Sequence, residues 1–227
     1  MRKKIKNQKL KIKNNIVGLL LNQEIENGCR LGLWEIAEDY ETLFRMTHLN
    51  DDDIRRLNTF KNTYRKIESL SVRALLQQMT RPDARIVYNK QSRKPYLEDG
   101  SYNISVSHSH RYTAILLGKC KLVGIDLEFM SHNIHRLAHK FINKQEVITD
   151  NQSLRRRHLY IHWCAKEALY KICDKMDINF QEDLSILPFD VDLQGEIVGV
   201  VNNNSRNEEY KLHYQLENNY VLVYCIK

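Results

Sequence analysis

"VGIDLE", Val123 to Glu128, sets two carboxylates, Asp126 and Glu128, two residues apart at the end of an apolar run. In a strand, residues i and i+2 point to the same face. Two like charges side by side repel unless something positive lies between them, and the reading of the chain turns on what that is.

Upstream, "RIVYNKQSRKPYL" leads into "SYNISVSHSHRYTAILLG". Ser101, Asn103, Ser105 and Ser107 alternate with Tyr102, Ile104 and Val106, the pattern of a half-buried strand. "SHSHR" turns the chain and "YTAILLG" returns as a more buried strand. Earlier still, "IVGLLLNQE" and "CRLGLWEIAED" read as a hairpin whose turn is Asn27-Gly28. A helical region follows over roughly Tyr40 to Met79. Asp51-Asp52-Asp53 offers an N-cap there, and the basic helix "YRKIESLSVRALLQQM" closes the region.

The second half repeats this plan. After "KLVGIDLE", the stretches "HRLAHKFI", "KQEVITD" and "LRRRHLYIHWCAKEALYKICDKM" are helical in pattern, and "EEYKLHYQLENNYVLVYCI" reads as strand, turn, strand. Tyr210 and Tyr220 stand ten residues apart, as Tyr102 and Tyr112 do. The expected fold is α/β (α+β) with two pseudo-symmetric lobes, residues 1–122 and 123–227, each a small antiparallel sheet packed by helices.

The 227 residues suit one large domain or two small lobes, and 42% hydrophobic composition supplies a core. No apolar stretch has the length of a spanning helix, and the apolar segment Ile16 to Leu21 is too short for a signal peptide. A cytoplasmic protein with no membrane partner is expected. Cys29, Cys120, Cys164, Cys173 and Cys225 are scattered, odd in number and without a CxxC pair, so reduced thiols are expected. A net charge of +7 calls for acidic partners or substrates without choosing among them.

In "WCAKEALYK", Trp163, Glu167 and Lys171 fall at i, i+4 and i+8 and share one stripe of a helix. Taken alone, Glu167 and Lys171 read as an exposed pair, and Asp126 and Glu128 as a solvated strand end. Together they place two acids on a strand and a third on a helix 41 residues later, with a Ser-His on the neighbouring hairpin. Mg²⁺ takes oxygen ligands and is held by a few carboxylates together with substrate phosphates.

"VGIDLE" and "WCAKEALYK" together resemble the paired signature of the 4′-phosphopantetheinyl transferases. That signature is a G-[IV]-D strand followed by a W/F-[ST]-x-K-E-[AS]-x-x-K helix. "RKPYL" and "SYNISVSHS" are similar to two further elements of the larger, two-lobed (surfactin-type) class, and "YRKIESLSVRALL" is similar to the Arg-containing helix of its first lobe. The resemblance spans roughly Arg65 to Lys171. Two departures stand out: Cys164 replaces the usual Ser or Thr, and Ser105-Val106 separates "NI" from Ser107-His108.

The resemblance implies transfer of the 4′-phosphopantetheine arm of coenzyme A to a serine of an acyl or peptidyl carrier protein, the activity of a holo-[acyl-carrier-protein] synthase. It implies Asp126, Glu128 and Glu167 as Mg²⁺ ligands, Glu167 also as the base for the serine proton, and Lys171 as a charge on the phosphates. Ser107 and His108 would contact the 3′-phosphate of coenzyme A, Lys94 and Pro95 would flank the adenine, and Arg65 would reach the 3′-phosphate. Lys66 and Arg73 are substitutes for Arg65 in the same basic helix. It also implies a monomer and an acidic carrier partner, for which the basic balance would form a rim. His132, His135 and His139 have helical spacing, but no cysteine or acid joins them, and a solvated helix face is expected rather than zinc.

Two other classes are weighed. A nucleic-acid-binding module would use the basic N-terminal run and "LRRRH", yet no such fingerprint is present and paired acids repel a phosphate backbone. A catalytically idle member of the same fold gains no support, since all three acids and Lys171 are in place.

Overall fold

The computed structural model describes residues 18–131, 133–173, 178–204, 206–217 and 219–227. The basic run Met1 to Asn14, the opening of the first expected strand, the end of the expected helix at 174–176 and His132 lie outside the described residues.

Strands β1 (Leu19–Glu26) and β2 (Cys29–Glu35) form the opening hairpin. Its turn needs Gly28, which holds φ at 75°, a left-handed conformation that side chains disfavour. Helices α1 (Tyr40–Met46), α2 (Asp51–Thr59) and α3 (Thr63–Met79) follow in the expected region. The cap of α2 is Asn50 and not the Asp triplet. Asn50 accepts the Asp53 N–H and the Asp53 carboxylate returns to the Asn50 N–H, so the acids occupy the first turn. A short hairpin, β3 (Ile86–Tyr88) and β4 (Pro95–Leu97), precedes β5 (Asn103–Ser109) and β6 (Tyr112–Gly118). The first sheet runs β1-β2-β6-β5. Helix α3 lies close on it because Gly32 leaves room; a Cβ there would stand 2.3 Å from Met79 Sδ.

The second half comprises β7 (Val123–Phe129), α4 (Gln152–Ile172), β8 (Leu184–Ile186), β9 (Gln194–Asn203), β10 (Arg206–Glu217) and β11 (Tyr220–Ile226). Its antiparallel sheet runs β7-β11-β10-β9-β8, with α4 across one face. The α+β fold of two antiparallel sheets packed by helices is therefore the observed one. The halves differ in detail. The first has three helices and ends on a hairpin at the sheet edge; the second has one long helix, and β7 covers its closing hairpin. Strands β8 and β9 escape the reading of the sequence.

Two expected helices are absent. "HRLAHKFI" forms only the 3₁₀ turns Ile134–Arg136 and Ala138–Lys140, and "KQEVITD" forms none. Local and tertiary bonds outcompete helix in the latter. Asn143 Oδ1 accepts the N–H groups of Gln145 and Glu146, and the Glu146 carboxylate turns inward to Lys166 Nζ at 2.7 Å and Ile186 N at 2.9 Å. His135 and His139 thus sit on separate short turns, without the common helix face that their spacing implied.

The two sheets meet through a shared apolar cluster that includes Leu31, Leu116, Ile125, Leu127 and Leu222. The rings of Tyr112 and Tyr220, the second member of each equally spaced pair, stand 4.9 Å apart. Beside this cluster the edge strands β5 and β7 are joined by side chains. The Ile125 and Phe129 N–H groups donate to Ser105 Oγ and Ser109 Oγ, each at 3.1 Å, and Ser107 Oγ donates to Asp126 Oδ1 at 2.8 Å. The serine face of β5, the polar side of the half-buried strand, is the seam between the sheets and supplies acceptors to the unpaired edge of β7. Among the described residues, no helix is long and apolar enough to cross a membrane.

Candidate active site

The glycine of "VGIDLE" brings the chemistry together. A Cβ on Gly124 would stand 2.2 Å from the Ala168 carbonyl oxygen, so the backbone of α4 rests directly on β7. That approach lays the stripe of Trp163, Glu167 and Lys171 over the acids.

Asp126 is 5% exposed. Its Oδ1 accepts from Lys171 Nζ at 2.7 Å and from Ser107 Oγ at 2.8 Å. Lys171 Nζ also donates to the Ile125 carbonyl at 2.9 Å and to Ser107 Oγ at 3.2 Å. The ammonium of Lys171 is thus the positive charge beside the paired acids, and its reading as half of an exposed helix pair falls. Glu128 Oε2 accepts from Ser109 Oγ at 2.7 Å, and Trp163 Nε1 donates to its Oε1 at 3.4 Å. Half-buried Glu167 lies between Trp163 and Lys171 on the same stripe.

Among the described residues, no three Asp, Glu, His or Cys side chains converge into a preassembled metal site. Asp126 Oδ2, however, is buried with no hydrogen-bond partner. A carboxylate oxygen left bare inside the protein is costly unless a cation or donor reaches it. With Glu128 beside it, the oxygen-only donor set suits a hard cation that completes its shell with water and phosphate. Cys164, where Ser or Thr was expected, lies under these acids. Burial, reinforced by Asp126 and Glu128, pushes its thiol well above the usual range, so it stays protonated.

The side chain after Ser107 on β5 points the other way. His108 faces a cavity of about 350 Å³ between β5, α2, α3 and the β3–β4 hairpin, lined also by Arg56, Arg65, Glu68, Tyr88 and Pro95. Arg65 Nη1 donates to Glu68 Oε2 at 2.8 Å, and His108 Nδ1 stands 3.4 Å from Glu68 Oε1. Burial alone would raise the Glu68 carboxyl, but the hydrogen bonds and charges of His108 and Arg65 hold it below its ordinary value. The Arg56 guanidinium lies over the Tyr88 ring, 3.7 Å from its centroid. Pro95 is shared with an adjoining cavity of about 550 Å³ that Lys94 also lines; burial lowers the Lys94 ammonium.

The two substitutes for Arg65 are placed elsewhere. Arg73 is buried and donates to Asp53 Oδ1 at 2.7 Å, and Lys66 Nζ stands 6.0 Å from the Tyr40 ring centre. The structure therefore brings together Ser107, Asp126 and Lys171 at one point, and Arg65 with His108 at another. Glu68, Arg56 and Tyr88 were missed. An i, i+3 pair such as Arg65 and Glu68 reads as surface decoration until β5 covers it.

The model of the 4′-phosphopantetheinyl transferase superfamily matches residues 122–225. Over these residues the chain is similar to that superfamily. The matched segment begins just before β7 and ends within β11, so it contains Asp126, Glu128, Glu167 and Lys171. It supports phosphopantetheine transfer in general, and transferase activity with coenzyme A as the family's donor. Ser107 and His108 on β5, Arg65 on α3, and Lys94 and Pro95 at the β3–β4 hairpin lie outside it. No curated protein matches the chain.

Proposed function

We propose that the protein transfers the 4′-phosphopantetheine arm of coenzyme A to a serine hydroxyl of an acyl or peptidyl carrier protein, releasing adenosine 3′,5′-bisphosphate. One observation carries this reading. Lys171, from the helix of the superfamily segment, meets Asp126, from its strand, at 2.7 Å, and both bond Ser107 of the other sheet. Breaking the pyrophosphate of coenzyme A requires charge neutralisation and in-line positioning more than covalent help.

Asp126, Glu128 and Glu167 are the residues that would hold Mg²⁺, which supplies Lewis-acid polarisation of the phosphate oxygens when bound. Lys171 presents its ammonium to the same oxygens as a point charge. Glu167 accepts the proton of the carrier serine, directly or through one water. On the other face of β5, His108 and Arg65 receive the 3′-phosphate, and Lys94 and Pro95 flank the adenine in the adjoining cavity. The labour divides between lobes: residues 1–122 grip the nucleotide, and residues 123–227 carry the acids and the catalytic helix, as in the two-lobed surfactin-type class. The net charge of +7 favours encounter with an acidic carrier. The five free cysteines fit the reducing cytoplasm; a monomer without nucleic acid or membrane partners completes the reading.

Intact-mass measurement of carrier proteins incubated with the enzyme, coenzyme A and Mg²⁺ tests this. A carrier should gain one phosphopantetheine arm. No gain on any acyl or peptidyl carrier would sink the proposal.

A further inference from the structure

The cavity beneath His108 contains a carboxylate where an anion is meant to bind. Glu68 is 7% exposed on its side chain, and both of its oxygens are engaged: Oε2 by Arg65 at 2.8 Å and Oε1 within 3.4 Å of His108 Nδ1. A buried negative charge beside a phosphate site weakens that site unless it does something for the cations there. Arg65 and His108 need such help, since their side chains are 58% and 37% exposed and free to swing.

We infer that Glu68 is the positioning residue of this cavity: it holds the Arg65 guanidinium and the His108 ring in the orientation that receives a phosphate monoester. The identity of that ligand as the 3′-phosphate of coenzyme A rests on the function proposed above. Glu68 is itself anchored. Ser71 Oγ donates to the Glu68 carbonyl at 2.8 Å and stands 2.7 Å from Thr113 Oγ1, which ties this turn of α3 to β6. With Nδ1 of His108 turned to Glu68, the nitrogen left to face a ligand is Nε2, across the ring, where it can share a proton with a phosphate oxygen. Arg65 spends one nitrogen on Glu68 and keeps the rest of its fork. The basic side chains facing the cavity are then Arg56, Arg65 and His108, against the one carboxylate of Glu68, a balance that favours an anion once they are aligned.

Glu68→Gln keeps the size and an acceptor for Arg65 but removes the charge. It should be compared with wild type on coenzyme A and on dephospho-coenzyme A, which lacks the 3′-phosphate. The KM for coenzyme A should rise roughly tenfold, the loss expected for a charge-assisted bond, with kcat within about twofold and dephospho-coenzyme A unaffected. Calorimetry should find adenosine 3′,5′-bisphosphate weakened by the same factor and AMP unchanged. If the variant weakens both nucleotides equally, or leaves the wild-type preference intact, Glu68 is merely structural and the inference is overturned. Should the variant not fold, nitrogen-15 spectra of the wild-type imidazole decide: neutral His108 should carry its proton on Nδ1, and a dominant Nε2–H tautomer overturns the inference. A wild type that treats the two coenzymes alike, and binds the bisphosphate no better than AMP, would instead remove the phosphate reading of the cavity, and Glu68's role with it.

Discussion

Asp126 and Glu68 are both 5% exposed carboxylates held by cations, and they flank the same strand, β5. Asp126 is bonded through one oxygen, to Lys171 and Ser107, and its other oxygen is buried without a partner. Glu68 has both oxygens occupied, by Arg65 and His108. An unfinished shell marks a place where something is to bind, whereas a finished one marks a group that holds other groups in place. The pair also divides by origin: Asp126 lies within the matched segment 122–225 and Glu68 outside it.

The largest effects should separate these two sides. If the proposed function holds, Asp126→Ala removes a carboxylate that serves the reacting phosphates, so transfer should fall at least a hundredfold, about 3 kcal/mol, while adenosine 3′,5′-bisphosphate binds as before. Undiminished Mg²⁺-dependent transfer would break the comparison at its root. His108→Ala should do the reverse. On the proposed reading the remote phosphate contributes uniform binding, so KM for coenzyme A should rise by roughly ten- to hundredfold, with kcat little changed and preference over dephospho-coenzyme A reduced. Equal preference in wild type and variant would return His108 to an ordinary surface residue.

Gly124→Ala should cost about 1–3 kcal/mol in urea unfolding, because α4 must move off β7. Its functional effect should be confined to the Asp126 side, with Lys171 displaced and bisphosphate binding kept. A fully active variant of unchanged stability would show that the close approach is dispensable.

The smallest effect distinguishes the lobes by pH. His162, on the helix that carries Lys171, is held down to about 3, chiefly by burial. Below its ordinary value of 6.5 the unfolded chain takes up a proton that the folded chain refuses, so stability rises with pH between about 3 and 6.5. Acidification should therefore weaken the protein by up to about 1.4 kcal/mol per pH unit in that window. Glu68, lowered from 4.5, acts in the same direction but further into acid: its contribution is present above that value and is lost only at more acid pH. Urea midpoints from pH 7 to 5 should fall in wild type and stay flatter in His162→Leu; parallel slopes would mean that the ring is already charged in the fold.

What could be read in the chain was what depends on near neighbours. Asp126 and Glu128 alternate as a strand demands, Trp163, Glu167 and Lys171 repeat as a helix demands, and Asn27-Gly28 turns a hairpin, because those relations follow from backbone geometry alone. The helices expected over "HRLAHKFI" and "KQEVITD" were lost where tertiary bonds intervened, with Glu146 turned into the core against Lys166. The serines of β5 mark the polar side of a half-buried strand and form the seam with β7, since periodicity cannot say what lies opposite a polar face. Only the tertiary structure decided which cation answers Asp126, that Arg65 rather than Arg73 or Lys66 reaches the His108 cavity, and that Glu68 lies beneath both. Those choices join residues far apart in the chain, through packing that a single Cβ at Gly124 would disturb. Such distances are set by how the sheets and helices close on one another, a sum over many contacts that no local stretch of sequence contains.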